Sequence, residues 1–326
     1  MNKYQLTASE LQHVRALLDE CRRAHPSAED EDFVRDAPLV AARLPEGLLR
    51  ELYRLRDLQD HAGVLVVSGF SPGAPMPATP RTWFKEDSYH PDFDCDYLAI
   101  LMASVFGEPF GFETQQAGKL IHDILPMKGR EYAQEGANSL QMLNFHTEDT
   151  FHPMRADFIC LHCVRNPDHT ATLIAAVRDL RLSDRDLAVL AQPRFHHLAD
   201  DSHTEDVARP PAESILVGHA TTPYIRFDLD FTIAAAGDDE AAQVMSRLVQ
   251  ELQARSREVP LADGDLCFID NYKWLHGRKS FQPRFDGADR WLRRFNVKVD
   301  LAEAMAYRAS PTSRMLRFEA VTGEGR

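Results

Sequence analysis

Phe158-Ile159-Cys160-Leu161-His162-Cys163-Val164 is an almost wholly apolar run, of the length expected for a strand buried on both faces. Similar short strand-like runs surround it at 119–125, 140–145, 170–177, 214–218, 223–229, 265–269 and 292–299. Upstream the pattern is different. Residues 5–25 carry apolar positions at helical spacing (Leu6, Leu11, Val14, Leu17, Leu18, Cys21), and Thr7, Ser9 and Glu10 supply helix-start signals. A second helical stretch covers about 46–60, and the β-branched run 63–70 is bounded by glycines. A Gly/Pro-rich loop follows at 72–80, and helical patterns recur at 95–106 and 239–257. Many short strands with helices gathered mainly at the N-terminal end predict a mainly β fold with flanking helices, a barrel or double-sheet jelly roll. The expected organisation is one domain over 1–326, with a helical flank to about residue 60 and a barrel core over about 61–300.

Composition narrows the class of partner. Hydrophobic residues make up 44% and charged residues 27% of the 326, which excludes a disordered or fibrous chain. Fifty acidic against 37 basic side chains give a net charge of −13. A nucleic-acid binder would show the opposite sign, and a cationic small molecule suits the acidic balance better. The N-terminus lacks the apolar run of a secretory signal and no stretch is long enough to span a bilayer, so a cytoplasmic protein without membrane partners is expected. The five cysteines form no disulfide framework, and Cys160 and Cys163 read as buried strand thiols rather than half of a zinc site.

The segment that carries chemistry is Asn144-Phe145-His146-Thr147-Glu148-Asp149. In a strand, residues two apart face the same way, so an imidazole and a carboxylate from His146 and Glu148 converge on one point. His276, in Trp274-Leu275-His276-Gly277-Arg278 after the 265–269 strand, is the candidate third ligand. Two histidines and one carboxylate on one face of an iron(II) ion leave three positions for a co-substrate and O2. Further on, Arg290 stands where the chain enters the 292–299 strand. Its planar guanidinium suits a bidentate grip on a carboxylate.

These segments, with Cys163-Val164-Arg165-Asn166-Pro167-Asp168-His169 and Arg290-Trp291-Leu292-Arg293-Arg294, resemble the clavaminate synthase-like 2-oxoglutarate oxygenases over roughly residues 60–300. Within that family the likeness is greatest to the arginine β-hydroxylases of viomycin- and streptothricin-type pathways and to related asparagine and lysine hydroxylases. The resemblance implies a distorted double-stranded β-helix of the jelly-roll, cupin-like kind. It implies iron(II) held by His146, Glu148 and His276, with 2-oxoglutarate anchored by Arg290 and by Thr172, or alternatively Thr170. It also implies Gln115 and Arg294 on the head group of a free amino acid, Glu148 on its amine, and Asp228 and Asp230 on a cationic side chain. If strand geometry continues through Asp228 and Asp230, both carboxylates point to one face; the bland reading is a solvated pair at a strand end. Asp149 and His152 are expected to support the site rather than bind the metal. The histidine-rich, proline-terminated segment 195–213 resembles the family's lid loop.

The implied activity is hydroxylation of L-arginine at C3 with succinate and CO2 as co-products. Lysine or an arginine derivative, oxidation at C4 and desaturation remain open alternatives. A zinc hydrolase or a non-catalytic cupin-like module is the competing class, and the oligomeric state is left open.

Overall fold

A computed structural model describes residues 1–57, 62–71, 76–84, 93–200, 203 and 210–319. Parts of three expected segments therefore lie outside the described residues: 58–60 of the second helix, 72–75 of the Gly/Pro loop, and 201–202 with 204–209 of the 195–213 segment.

Two sheets are stacked face to face and covered by helices on both outer sides. The large sheet runs, in spatial order, Asn2–Gln5, Val64–Ser68, Leu266–Asp270, Phe158–Arg165, Trp291–Lys298, Glu108–Phe112 and Met315–Leu316, with His122–Ile124 also pairing to Trp291–Lys298. The small sheet runs Arg257–Val259, Thr172–Ala176, Trp274–Arg278 and Leu143–His146. Alternation along the strands sorts the side chains. Val64, Val66, Ile159, Leu161, Cys163 and Leu292 of the large sheet meet Ile174, Ala176 and Trp274 of the small one in a shared apolar layer. The intervening Leu65, Val67, Cys160, Phe295 and Val297 instead pack on the helices Ala8–Ala24, Glu31–Ala41, Glu46–Arg56 and Asp94–Ala103. On the far side, Leu173, Ala175 and Leu275 pack on the helix Asp239–Arg255 through Val244, Leu248 and Leu252. Such a layered stack covers both faces of each sheet, which is why the central strands Phe158–Arg165 and Leu266–Asp270 are almost wholly apolar.

Most expected elements are present with shifted ends. The first helix begins at Ala8, because Thr7 and Glu10 close a reciprocal capping box. Two expectations need correction. No closed barrel forms among the described residues; helices and sheets are mixed in a layered arrangement. The Thr222–Ile225 strand ends before Asp228, so strand geometry does not carry the two aspartates. Asp228 Oδ1 instead accepts from the backbone N–H of Asp230 at 2.8 Å and of Phe231 at 3.1 Å, an aspartate turn that competes with the ladder. All five cysteines are free and buried, as expected of strand thiols. No helix among the described residues is long and apolar enough to cross a membrane.

Candidate active site

Strand register brings the two histidines together. His146 closes the Leu143–His146 strand directly opposite His276 of Trp274–Arg278, and directly opposed residues of an antiparallel pair are neighbours. Their ring centroids are 4.1 Å apart. The two strands approach closely here: a Cβ on Gly277 would lie 2.6 Å from the Leu143 carbonyl oxygen, so only glycine fits between the two functional positions His276 and Arg278.

Glu148 sits in the turn after the strand rather than on it. Fully buried Asn271 holds that turn in place: its Oδ1 accepts from the Glu148 N–H at 2.7 Å, and its Nδ2 donates to the carbonyls of Glu148 at 3.2 Å and Ala156 at 2.9 Å. Asn271→Ala would strand buried backbone groups, each costing about 1–3 kcal/mol. We expect a stability loss on the order of 2 kcal/mol with iron affinity weakened about 10- to 100-fold, as for other residues that orient a metal ligand. Denaturant unfolding and iron titration check this, and an unchanged iron affinity would show that the turn holds without Asn271.

The three donor atoms of His146, Glu148 and His276 lie within 4.8 Å of one another. His146 Nδ1 donates to the Asn144 carbonyl at 2.8 Å, which leaves Nε2 as the ligand atom. Glu148 Oε2 is buried without a hydrogen-bond partner and faces His276 Nε2 at 3.6 Å, too far for a hydrogen bond and suited to two ligands of one ion. Burial, and then the charge of His146, push the His276 imidazole down to about 4, so it stays neutral and able to ligate. Burial acts to raise the Glu148 carboxyl, but the Arg294 guanidinium and both imidazoles outweigh it and hold the group ionised, well below the usual range. Two imidazoles and a carboxylate with the opposite side open to a cavity fit iron(II).

Alternation along Trp291–Lys298 places Arg294 on the inner face and Arg293 on the outer one. Arg293 accordingly pairs with Asp96 of the Asp94–Ala103 helix, whereas Arg294 pairs with Glu148. Arg294 Nη2 also lies 3.4 Å from Gln115 Oε1 and 3.0 Å from His122 Nδ1. Gln115 is buried behind Arg294 rather than on the cavity wall.

One cavity between the sheets is lined by His146, Glu148, His276, Thr172, Arg290, Arg294, Asp228 and Asp230. Thr172 lies on its wall and Thr170 does not. Arg290 is buried, its Nε has no hydrogen-bond partner, and no acidic side chain among the described residues pairs with it. Burial pushes this guanidinium down to about 10. Asp228 is buried and, chiefly through that burial, raised to about 6; Asp230 is exposed, both its oxygens 3.0 Å from Asn144 Nδ2.

Sequence reasoning missed Arg278. It too lines the cavity, is held by Asn138, and is depressed by burial and by the neighbouring charge of Arg290. Two positions after His276 on the same strand face, it was visible in the same alternation that was used for His146 and Glu148.

Residues 44–296 match the sequence profile of the taurine catabolism dioxygenase TauD, TfdA family. The chain belongs to this family. Among TauD/TfdA-type relatives, it is 32% identical to an L-ornithine/L-arginine 3-hydroxylase of Catenulispora acidiphila, over 97% of this chain and 100% of that protein. It is 33% identical to an enduracididine beta-hydroxylase of Streptomyces hygroscopicus, over 92% of this chain and 95% of the relative. The crystal structure of the non-heme iron oxygenase OrfP in complex with Fe and alpha-ketoglutaric acid superimposes with a TM-score of 0.88 at 39% identity, covering 96% of this chain and 99% of that one. The layered helices and sheets described above are thus those of a TauD-like oxygenase.

Proposed function

We propose that this TauD/TfdA member hydroxylates free L-arginine at C3, consuming 2-oxoglutarate and O2 and releasing succinate and CO2. The observation that carries the reading is the single cavity whose wall combines the His146, Glu148 and His276 donors, the buried Arg290, which pairs with no carboxylate among the described residues, and the carboxylates of Asp228 and Asp230. The names of the curated relatives, an L-ornithine/L-arginine 3-hydroxylase and an enduracididine beta-hydroxylase, support the same substrate class. We read the two facing sheets as a distorted double-stranded β-helix of the jelly-roll, cupin-like kind within one domain, and place the enzyme in the cytoplasm.

Iron(II) bound by His146, Glu148 and His276 supplies the O2 chemistry that couples oxidative decarboxylation of 2-oxoglutarate to hydroxylation of the substrate carbon. The chain's own residues position the reactants. Arg290 pairs with the far carboxylate of 2-oxoglutarate, and the Thr172 hydroxyl donates to it. Arg294, steadied by Gln115 and His122, holds the α-carboxylate of the amino acid, and Glu148 faces its amine. Asp228 and Asp230 take the guanidinium, which fixes how far the chain reaches into the cavity and so which carbon lies nearest the metal.

Succinate release measured across ornithine, lysine, arginine, asparagine and neutral amino acids tests the reading. Arginine should give the highest kcat/KM; highest turnover with a neutral amino acid would refute it. Arg290→Lys keeps the charge but loses the bidentate fork. Losing one hydrogen bond to a charged group, about 1.5–3 kcal/mol, should raise the 2-oxoglutarate Kd about 10- to 100-fold with iron content unchanged. A wild-type titration would remove Arg290 as the anchor.

A further inference from the structure

In the histidine-rich segment 195–213, Phe195 and His197 are buried on a short strand, and His203 beyond it is buried as well. His203 is buried, its side chain fully shielded. Its ring sits among Phe112, Phe151 and Phe318 at centroid distances of 5.5, 4.6 and 5.7 Å. Both ring nitrogens are engaged. Nδ1 lies 2.6 Å from the Thr114 hydroxyl, and Nε2 lies 3.2 Å from Asp149 Oδ1 and 3.0 Å from the Gln115 amide nitrogen. The same Asp149 oxygen accepts from Gln115 Nε2 at 3.1 Å, and its other oxygen accepts from Asn296 Nδ2 at 2.9 Å. Asp149, Asp200 and His203 have donor spacing that an ion could use, but with both imidazole nitrogens and both Asp149 oxygens committed to hydrogen bonds, this cluster reads as a joint between segments.

What the joint connects gives it a use. Asp149 follows the candidate ligand Glu148, and Asn296 lies two residues beyond Arg294 on the same strand face. Gln115 touches Asp149 with its amide nitrogen and Arg294 with its oxygen. On the other side, the His203 N–H bonds the Asp200 carbonyl at 3.2 Å, and Asp200 lines the active-site cavity.

We propose that His203 is a positioning residue for the amino-acid substrate. It ties the backbone at Asp200 to the Asp149-Gln115 pair, so that Asp200 stands on the cavity wall while Gln115 and Arg294 keep the head-group geometry. This rests on the oxygenase reading for its kinetic consequences, but the pinning itself can be measured without turnover.

The test compares wild type, His203→Ala and His203→Gln, the last retaining an amide donor and acceptor. Loss of two hydrogen bonds of ordinary strength should raise the L-arginine KM about tenfold in His203→Ala. Succinate should form in excess over hydroxylated product. Iron content and anaerobic 2-oxoglutarate binding, read from the charge-transfer absorbance of the complex, should match wild type. Hydrogen–deuterium exchange over 195–200 should be faster in His203→Ala, and His203→Gln should recover most of both effects. Wild-type KM, coupling and exchange in His203→Ala would overturn the proposal. So would a parallel loss of iron, 2-oxoglutarate binding and melting temperature, which marks a purely structural role. If wild type releases no succinate in response to any amino acid, the oxygenase reading fails, while the exchange comparison still decides whether His203 pins the segment.

Discussion

His146→Ala and Glu148→Ala are expected to purify without iron and to bind none on titration. Residues that merely orient a ligand cost 10- to 100-fold in metal affinity when removed, so deletion of one of three ligands should exceed about a hundredfold. The structure predicts a difference in how the two variants fail. His146 is half-buried and makes one hydrogen bond to backbone, whereas Glu148 carries the charge that compensates the half-buried Arg294. Glu148→Ala leaves that guanidinium without its carboxylate in a mostly shielded site and should therefore also lower stability, by about 1–3 kcal/mol. His146→Ala should melt near the metal-free wild type. Stoichiometric iron in His146→Ala would remove the metal assignment.

Asp228→Asn is expected to abolish most arginine turnover while leaving iron and 2-oxoglutarate binding in place. A desolvated charge pair is worth roughly 2–5 kcal/mol. At about 1.4 kcal/mol per tenfold, that is on the order of 30- to several-thousand-fold in substrate affinity. Asparagine keeps the side-chain oxygen that caps the backbone of Asp230 and Phe231, so the turn survives and the loss reports on charge. Asp230 is exposed and shares its oxygens with Asn144. Solvent screens such a group, so Asp230→Asn should cost only several-fold, in line with about 1 kcal/mol for exposed pairs. Equal KM values for wild type and Asp228→Asn would leave the preference for a cationic side chain without support.

The unequal weight of these two aspartates shows where sequence reading stops. The strand 158–164 was legible because both its faces are buried, and that forces an apolar run whatever the partner strand. Along Trp291–Lys298, alternation puts Arg293 beside Asp96 and Arg294 beside Glu148. The Asp-x-Asp pair was drawn on a strand face, but a short carboxylate beside free backbone N–H groups closes on them instead. Asn2–Gln5 carries no strand signal of its own; it is ordered by parallel pairing with Val64–Ser68, about sixty residues away. Asn271 is invisible for the same reason: its value lies in reaching Glu148 across the fold. In 195–213 the polar, proline-terminated composition suits a loop, and composition could not reveal that His203 is buried among three phenylalanines. Local pattern reports burial well, and partners distant in sequence poorly.

The most direct measurement is the product itself. Enzyme loaded anaerobically with iron(II), 2-oxoglutarate and 13C-labelled L-arginine is exposed to O2, and succinate and the labelled amino acid are quantified by NMR. The account predicts about one succinate per hydroxylated arginine, with the new C–O bond at C3. Unaltered arginine, or equal activity with zinc in place of iron and no need for 2-oxoglutarate, would contradict it.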